Sequence, residues 1–516
     1  MQGLNLFKSG NLESALLSFE ASFRANESSA EKALLFSLKI LEQKGNSLRV
    51  IELLQEATLT LPSPDKWFAA LAEKHMAQGN LMQAVACVDQ ALAINPHHST
   101  AMLNRACWLA GHLGDGQESR ELFEAWGRQF MDGLTQNSSP LIPLDLAPMR
   151  KLRIGYVSGD LKNHSVRYFI EAYLRLHNRQ QFEVHAFMTL PGDEITEWLK
   201  QLVDCWHDVS KLDDAQLLGK IRALQIDVLI DLSGHTSGNR LSVFAQRAAP
   251  VQVTWFGFMQ TLGMKAIDWR LTDNSATPPS SDDCYTERLY RLNVMVSYTP
   301  PLNTDELFEA PWRANGYVTM VCLNHSRKIS DEALQTWARI LEANSQAGLI
   351  VISSENDPIQ NDKGLLSRLN RHGLPMDRIL VTGRMTMFKF MRMASIADFA
   401  VDSFPISGGT TTLHALWMGL PTLTLDNTAN GARQGATAAI QTGCGLADAA
   451  ANNVEEYVEM ANRWIREPEL IDELRSRCRP GLQSSALMRY KERVDEVENA
   501  YREMWIAYIR TAQLTQ

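Results

Sequence analysis

A Gly-Asn pair recurs three times near the start of the chain, at residues 10–11, 45–46 and 79–80. The intervals are 35 and 34 residues, and each pair is followed by a segment with small or apolar residues on one helical face. A period of this length indicates a repeat built from two helices. Two helices cannot bury their apolar faces alone, so successive copies are expected to stack into a solenoid.

The third copy has the clearest register of small packing residues, turn and terminator: Leu71, Ala72, Gly79, Ala84, Val88, Ala91 and Pro96. This pattern resembles the tetratricopeptide repeat. Residues 101–130 are interpreted as a degenerate fourth unit that caps the array. We therefore predict a helical domain over residues 1–132, with an irregular helical bundle as the alternative. Such solenoids present concave surfaces, which suggests a protein substrate or a self-association surface.

The pattern of apolar residues changes after residue 150. Residues 133–150 contain Pro and Ser without periodicity and are predicted to be a linker. Apolar runs that alternate with helical patterns then indicate parallel sheets covered on both faces. The pattern restarts near residue 317, so we predict two doubly wound, Rossmann-like domains, at residues 151–310 and 311–516. The final helical stretch is expected to brace them. Ligands bind such sheets at the carboxyl ends of the strands, in the cleft between the domains.

Composition narrows the class of protein. The 516 residues carry a net charge of −9, which argues against broad nucleic-acid binding. The seven cysteines form no CxxC pair, so we expect reduced thiols in a cytoplasmic protein, with neither a disulfide framework nor a zinc site. The first residues lack the order of a signal peptide, and no apolar run is long enough for a membrane span.

One stretch, residues 398–425, has the composition of a phosphate-binding loop. A short apolar strand is followed by a loop and then by five residues that open a helix: Gly408, Gly409, Thr410, Thr411 and Thr412. Glycine lets the backbone approach a ligand closely, and the free N–H groups of a first helical turn favour an anion. The alternative is an ordinary glycine turn with threonine caps.

Polar residues also follow the predicted strands. Asp160 and His164 come after the first strand, Asp231 and His235 after the third, and Lys328 after the strand that opens the second domain. A lysine together with a helix N-terminus would stabilise the charge that develops on a leaving nucleotide. A histidine across the cleft could orient an acceptor or take its proton. This chemistry needs no metal, and the sequence shows no DxD-type carboxylate cluster.

These motifs together resemble a known family. The repeats, followed by RIGYVSGDLKNH, DLSGHTSGNRLSVFAQRAAPVQVTWFGF, LNHSRKIS, RILVTG and DSFPISGGTTTLHALWMGLPTLTL, are similar to the O-linked N-acetylglucosamine transferases of glycosyltransferase family 41. That family also includes SPINDLY-type fucosyltransferases and bacterial N-glucosyltransferases. The resemblance implies a GT-B fold, a nucleotide-sugar donor in the second domain, and an inverting, metal-independent transfer to a protein side chain on the side of the first domain.

The resemblance also implies roles for individual residues. His164, Lys328 and His235 correspond to catalytic positions, although the donor phosphate is an alternative to His164 as the base. The acceptor side comprises Asp160, Asp231 and Thr236. The donor side comprises Gly408, Gly409, Thr410, Thr411, Thr412, Asn324, Phe390 and His414.

Three departures from the family pattern affect the donor pocket. Phe390 stands where the family usually has a histidine on the nucleotide base, and His414 stands where it usually has an acid on the ribose. The loop MQTLGM replaces a Pro-Gly-containing turn.

We therefore expect transfer from UDP-GlcNAc or UDP-Glc to Ser/Thr or Asn of a protein that is recruited partly by the repeats. The alternatives are a related enzyme with another donor such as GDP-fucose, and a scaffold whose activity has drifted. The oligomeric state stays open, with a homo-oligomer among the options.

Overall fold

The computed structural model describes residues 2–25, 28–112, 116–138, 141, 143, 145–353, 355, 358–426 and 437–514. Four residues of the predicted linker, at positions 139, 140, 142 and 144, lie outside these ranges. A helix-rich N-terminal region is followed by two parallel sheets, which confirms the fold class predicted from the sequence. Among the described helices, none combines the length and the apolar character that a membrane crossing needs.

Within its described residues, the first region has nine helices: α1 Gln2–Lys8, α2 Leu12–Arg24, α3 Ala30–Gln43, α4 Ser47–Thr60, α5 Pro64–Ala77, α6 Leu81–Ile94, α7 Ser99–His112, α8 Gly116–Phe130 and α9 Asp132–Gln136. The repeated Gly-Asn pairs lie in the turns inside the first three helix pairs. Gly10, Gly45 and Gly79 have φ values of +80°, +64° and +76°, which glycine adopts without strain. Asn11 and Asn46 then cap α2 and α4 by accepting backbone N–H groups.

The first sheet has seven parallel strands in the order β3-β2-β1-β4-β5-β6-β7. Its elements are β1 Leu152–Ser158, α10 Arg167–Leu176, β2 Phe182–Met188, α11 Glu194–Leu199, β3 Cys205–Asp208, α12 Asp214–Ala223, β4 Val228–Asp231, α13 Leu241–Ala245, β5 Val251–Thr254, β6 Trp269–Asp273 and β7 Arg288–Leu292. Strands β1, β4 and β5 are almost entirely buried, as expected for a sheet covered on both faces.

In the part of the second domain that the structure describes, the sheet has six parallel strands in the order β10-β9-β8-β11-β12-β13. Its elements are α14 Trp312–Asn315, β8 Thr319–Cys322, α15 Asp331–Ala343, β9 Gly348–Ile352, α16 Pro358–Asn361, α17 Lys363–Arg371, β10 Ile379–Thr382, α18 Met387–Phe390, β11 Phe399–Val401, α19 Thr410–Trp417, β12 Thr422–Leu425, α20 Thr437–Gly443, β13 Ala450–Ala451, α21 Val454–Arg466, α22 Glu469–Ser484 and α23 Tyr490–Leu514. A single 3-10 turn, Ser326–Lys328, follows β8.

The last two helices divide between the two sheets. Helix α22 packs against α19 of the second sheet, whereas α23 returns to the first sheet and packs on α10. Tyr501 and Trp505 of α23 are fully buried in the core that surrounds β1 and β2. The closing helices therefore connect the two halves of the molecule.

The helical region touches both halves. On one side, Gly127 of α8 lies so close to the backbone of Gly263 that a side chain at position 127 would meet the Gly263 carbonyl. On the other side, the Arg368 guanidinium of α17 approaches the Gln78 carbonyl oxygen at 3.5 Å. The repeats therefore contact the sheet domains on both sides of the cleft.

Candidate active site

A cavity of about 790 Å³ lies where the three regions meet. The helical region contributes Cys107 and Ser119, the first sheet domain contributes His164, and the second contributes Lys328. Cavities of this size between domains are the usual sites for small ligands. The MQTLGM loop, which differs from the family pattern, contributes residues 259–261 to the cavity lining. The family resemblance implied that this loop affects the donor pocket, and part of it lies on the cavity wall.

The glycine–threonine turn, residues 408–412, forms one wall of this cavity. Helix α19 begins at Thr410 with Gly409 as its N-cap, and both residues line the cavity together with Gly408. The first N–H groups of a helix have no partner within the helix, and the helix dipole places partial positive charge there. The turn therefore presents an anion-attracting surface to the cavity.

A buried carboxylate behind the turn holds it in shape. Asp402 Oδ1 accepts the Gly408 N–H at 2.9 Å and the Asn324 side-chain amide at 2.7 Å, and Oδ2 accepts the Thr424 hydroxyl at 2.7 Å. Burial raises the pKa of Asp402. The residue was not among those singled out from the sequence. A signal was present, because a carboxylate directly after an apolar strand and before a glycine loop can bind that loop's N–H groups.

Two of the three threonine hydroxyls of the turn are used inside the protein. Thr411 donates to Asn324 Oδ1 at 2.8 Å, and Thr412 shares a 2.8 Å hydrogen bond with Thr437. Asn324 and Thr412 are buried. Asn324, Thr411 and Thr412 therefore support the turn from behind, while Thr410 faces the cavity.

Lys328 stands beside the turn at the cavity wall. Its Nζ donates to the Ser407 carbonyl oxygen at 3.0 Å, one residue before the glycines. Burial lowers the pKa of Lys328, and the nearby Asp402 carboxylate acts in the opposite direction. An ammonium group and free backbone N–H groups converge here from two different loops. Together they can neutralise a polyphosphate.

His164 faces the same cavity from the first sheet domain. Its side chain is 45% exposed, and its Nδ1 lies 3.7 Å from Asp160 Oδ2. Both residues belong to the loop between β1 and α10. The structure thus brings together three predicted elements, namely His164, Lys328 and the glycine–threonine turn, around one cavity.

His235 has a different environment. It lies outside the cavity lining, with its ring stacked on Phe123 of α8 at 5.2 Å and edge-on to Trp126 at 4.8 Å. Its Nε2–H donates to the Leu262 carbonyl oxygen at 3.0 Å. Burial lowers the pKa of His235 to about 4, so the ring is neutral. In this structure His235 joins the last helix pair to the first sheet domain.

The other two acceptor-side residues hold the turn after β4. Asp231 is buried and accepts the N–H groups of Ser233 and Gly234 and the Thr254 hydroxyl. Thr236 donates its hydroxyl to the Ser233 carbonyl oxygen at 2.9 Å. Neither Asp231 nor Thr236 lines the cavity.

His414 and Phe390 also lie outside the cavity lining. The Tyr298 hydroxyl lies 2.8 Å from His414 Nδ1, and Tyr168 packs edge-on against the imidazole at 4.7 Å. Phe390 is half-buried, with its ring centre 6.0 Å from that of His414. Burial lowers the pKa of His414 to about 3.

The sequence of the two sheet domains matches a family model. The model for glycosyl transferase family 41 covers residues 142–297 and 303–497, well over half of the chain. The chain belongs to glycosyl transferase family 41. The family resemblance predicted from the sequence motifs is therefore confirmed, and the cavity described above lies within the matched region apart from its repeat wall.

Named proteins from plants are similar over most of this chain. The probable UDP-N-acetylglucosamine–peptide N-acetylglucosaminyltransferase SPINDLY of Petunia hybrida is 34% identical over 427 residues, which are 81% of this chain and 45% of that protein. The protein of the same name from Arabidopsis thaliana is 32% identical over 81% of this chain and 46% of its own length. The chain thus spans about half the length of the curated relatives it matches.

One solved structure matches nearly the whole chain. A variant of the Thermobaculum terrenum O-GlcNAc transferase superposes with a TM-score of 0.86 at 32% sequence identity. The match covers 99% of this chain and 97% of the other. The likeness therefore includes the helical region as well as the two sheets.

Proposed function

We propose that this chain is a protein glycosyltransferase that moves N-acetylglucosamine from UDP-GlcNAc to Ser or Thr side chains. The observation that carries the proposal is the convergence of Lys328 and the glycine–threonine turn on one interdomain cavity. The names of the relatives from Petunia hybrida and Arabidopsis thaliana support the choice of nucleotide and sugar. UDP-Glc as donor and Asn as acceptor are the nearest variants of this reaction.

In the proposed reaction, the bond between the anomeric carbon and the UDP oxygen breaks as the acceptor oxygen attacks from the opposite face. Configuration at the anomeric carbon inverts. Negative charge grows on the leaving diphosphate, where Lys328 and the first N–H groups of α19 would stabilise it. These groups would balance the negative charge on the diphosphate, which a metal ion balances in other transferases. We therefore propose a metal-independent transfer.

The acceptor hydroxyl must lose a proton. His164 lines the cavity from the first sheet domain and is partly exposed, so it can reach a bound acceptor. A donor phosphate oxygen is the alternative base. Asp160, 3.7 Å from the His164 ring, would steady the imidazole in either case.

The protein acceptor would approach past the repeats. Cys107 and Ser119, from α7 and α8, line the cavity, so a bound acceptor peptide would touch the helical region at the reaction centre. We propose that the repeats recruit the acceptor in part. None of the seven cysteines, all of which the structure describes, is in a disulfide, and we propose a cytoplasmic location.

Calorimetric titration with UDP, GDP, UDP-GlcNAc, UDP-Glc and GDP-fucose tests the donor. We expect UDP and UDP-GlcNAc to bind and to raise the unfolding temperature, because a ligand of the native state stabilises it. Lys328→Ala should weaken UDP binding, whereas Lys389→Ala, which removes an exposed lysine of α18, should not. Selective binding of GDP-fucose would replace the donor, and binding of none would favour the scaffold alternative.

The scaffold alternative rests on one specific observation. The expected ribose partner, His414, is closed off by Tyr298 and Tyr168 and does not line the cavity. Transfer of labelled sugar to a peptide library, in the presence of a chelator, separates the two functions. Labelling that survives chelation supports a metal-independent enzyme. Absence of labelling despite UDP binding would favour the scaffold.

A further inference from the structure

A cluster of metal-ligating side chains lies on the first sheet, away from the cleft. Glu183 and His185 belong to β2, and Cys205 opens the edge strand β3. One carboxylate oxygen, one ring nitrogen and the thiol sulfur all lie within 4.8 Å of one another. None of the three residues lines the cavity.

Strand pairing explains why these residues meet. Residues i and i+2 of a strand point to the same face, so Glu183 and His185 share one face of β2. His185 is paired in register with Cys205 on one side and with Gly155 of β1 on the other. Gly155 has no side chain, and a Cβ at this position would first meet Phe187, Leu229 and Ile226 rather than the imidazole.

The surroundings orient the ligand atoms. His185 Nε2 lies 2.9 Å from Glu183 Oε1, while its Nδ1 lies 3.1 Å from His207 Nε2. The two imidazole rings stack with centres 5.3 Å apart. Arg153 Nε lies 3.7 Å from the other carboxylate oxygen, Glu183 Oε2. A metal-binding histidine generally donates its second ring N–H to a neighbour, and His207 is in place to accept it.

We propose that Glu183, His185 and Cys205 bind one transition-metal ion of the zinc class, with water as the fourth ligand. A thiolate, an imidazole and a carboxylate suit Zn²⁺ and exclude a hard-ion site for Mg²⁺ or Ca²⁺. With metal–ligand bonds of about 2.0–2.3 Å in a tetrahedral shell, the donor atoms would be separated by roughly 3.3–3.6 Å. Small side-chain rotations would reach this arrangement from the separations observed.

Metal binding would release a proton and form new metal–ligand bonds. The Cys205 thiol releases its proton to solvent and binds as the thiolate. The direct Glu183–His185 hydrogen bond gives way to one bond from each residue to the ion. In the metal-free protein the His185 proton lies on Nε2, which donates to Glu183. When Nε2 binds the ion, the ring changes to the tautomer protonated on Nδ1 and donates that proton to His207.

The ion would fasten β3, a four-residue edge strand, to β2. Exposed edge strands can pair with other chains. A bound ion would add a link between β3 and β2 and so oppose fraying of this edge. The ion would therefore stabilise the sheet, and this role does not depend on the proposed transfer reaction.

Titration of the metal-free full-length chain with Co²⁺, followed by displacement with Zn²⁺, tests the proposal. We expect one equivalent of Co²⁺ to produce the ultraviolet charge-transfer band of a cobalt–thiolate bond and the strong visible bands of a tetrahedral ion. One equivalent of Zn²⁺ should remove both and raise the unfolding temperature. Binding only in large excess, with no thiolate band, would overturn the proposal.

Matched variants assign the site. Cys205→Ser should abolish the thiolate band, whereas Cys87→Ser, which removes a half-buried thiol of the repeats, should leave it unchanged. His207→Phe keeps a stacked ring but loses the acceptor for His185, and should weaken Co²⁺ binding roughly 10-fold or more. Equal bands in the Cys205→Ser and Cys87→Ser variants would disprove the assignment. If Cys205→Ser fails to fold, unchanged affinity in His207→Phe would do so.

Discussion

The Tyr298 hydroxyl lies 2.8 Å from Nδ1 of His414, and this hydrogen bond joins the segment after the first sheet to the helix of the glycine–threonine turn. Both side chains are buried, at 0% and 3% exposure. Burial lowers the pKa of His414 to about 3, so the imidazole is neutral. Its Nδ1 accepts a hydrogen bond from the Tyr298 hydroxyl. Helix α19 is therefore tied at its middle to the other half of the molecule, while its first turn faces the cavity.

This burial predicts a pH dependence of stability. In the unfolded chain His414 takes up a proton near its ordinary pKa of 6.5, which the folded protein resists down to about pH 3. Stability is therefore lost as the pH falls below 6.5, by about 1.4 kcal/mol per pH unit for this group. His414→Gln should reduce the slope between pH 6.5 and 5 by about one proton. Urea unfolding at several pH values measures it.

Tyr298→Phe is the matched control, because it removes the hydroxyl but keeps His414 buried. Burial is the main cause of the lowered pKa, so this variant should lose stability at every pH while retaining the slope. A slope that disappears in Tyr298→Phe would show that the hydrogen bond, rather than burial, keeps the imidazole neutral.

Loss of the Lys328 ammonium should slow the transfer far more than it affects folding. In the proposed reaction, Lys328 acts on charge that develops on the leaving diphosphate, and removal of one such group typically costs about 10²–10³ in kcat. Lys328→Ala should show this loss in steady-state transfer kinetics, with an unfolding temperature close to that of the parent. Lys389→Ala is the control, and equal activity in the two variants would remove Lys328 from the mechanism.

Much of the fold follows from local sequence rules. The Gly-Asn period marks turns in which the glycine has a positive φ and the asparagine begins the next helix. Helix α15 begins at Asp331, directly after Ser330, whose hydroxyl oxygen accepts the Ala333 N–H. Periodicity and caps act within a few residues, so they can be recognised without tertiary information.

The short strands of the first sheet were not recognised from the sequence. Strands β3 and β7 are the two edge strands and are mostly half-exposed, while β6 carries the charged residues Arg270 and Asp273. The sequence of β3 is only Cys-Trp-His-Asp. Such strands are held by a neighbour rather than by their own apolar pattern. The Glu183–His185–Cys205 cluster was hidden for the same reason, since only the pairing of β2 with β3 brings Cys205 to His185.

The candidate site was predictable in its loops but not in its side-chain directions. Lys328, His164 and the glycine–threonine turn follow strands whose carboxyl ends face the cleft, which is a topological rule. His235 follows such a strand as well, yet its ring packs under Phe123 of the repeats. That direction depends on how the helical region docks, which local sequence does not encode.

The contact between the repeats and the first sheet domain predicts that substitution by alanine has different effects at two helical glycines. Gly127 of α8 lies against the Gly263 carbonyl, whereas a side chain at Gly133 of α9 would meet nothing within 4 Å. Gly127→Ala should lose about 1–3 kcal/mol of unfolding free energy through overpacking. It should also lower transfer activity, because Gly263 follows the loop at residues 259–261 that lines the cavity. Urea unfolding and initial transfer rates measure the two effects.

Gly133→Ala is the control and should be neutral or slightly stabilising, since alanine favours a helix by up to about 1 kcal/mol over glycine. If Gly127→Ala were equally stable and active, the contact between α8 and the loop would have no role in shaping the cavity.

Alanine substitutions at the two glycines of the turn should distinguish an effect on stability from an effect on UDP binding. A Cβ at Gly408 would lie 2.7 Å from the hydroxyl oxygens of both Thr411 and Thr412, which are fixed by their own hydrogen bonds. A Cβ at Gly409 would meet no protein atom within 4 Å. Gly408→Ala should therefore lower the unfolding temperature, whereas Gly409→Ala should leave it unchanged.

Both substitutions should weaken UDP binding, for different reasons. Gly408→Ala distorts the turn from behind, while Gly409→Ala places a methyl group in the cavity where the diphosphate would approach the N–H groups of α19. Calorimetry with UDP, set beside thermal unfolding of the same samples, measures the two effects separately. A Gly409→Ala variant that keeps both full stability and full UDP affinity would contradict this prediction. The diphosphate would then not bind at the start of α19, and the anion site would lie elsewhere along the cavity.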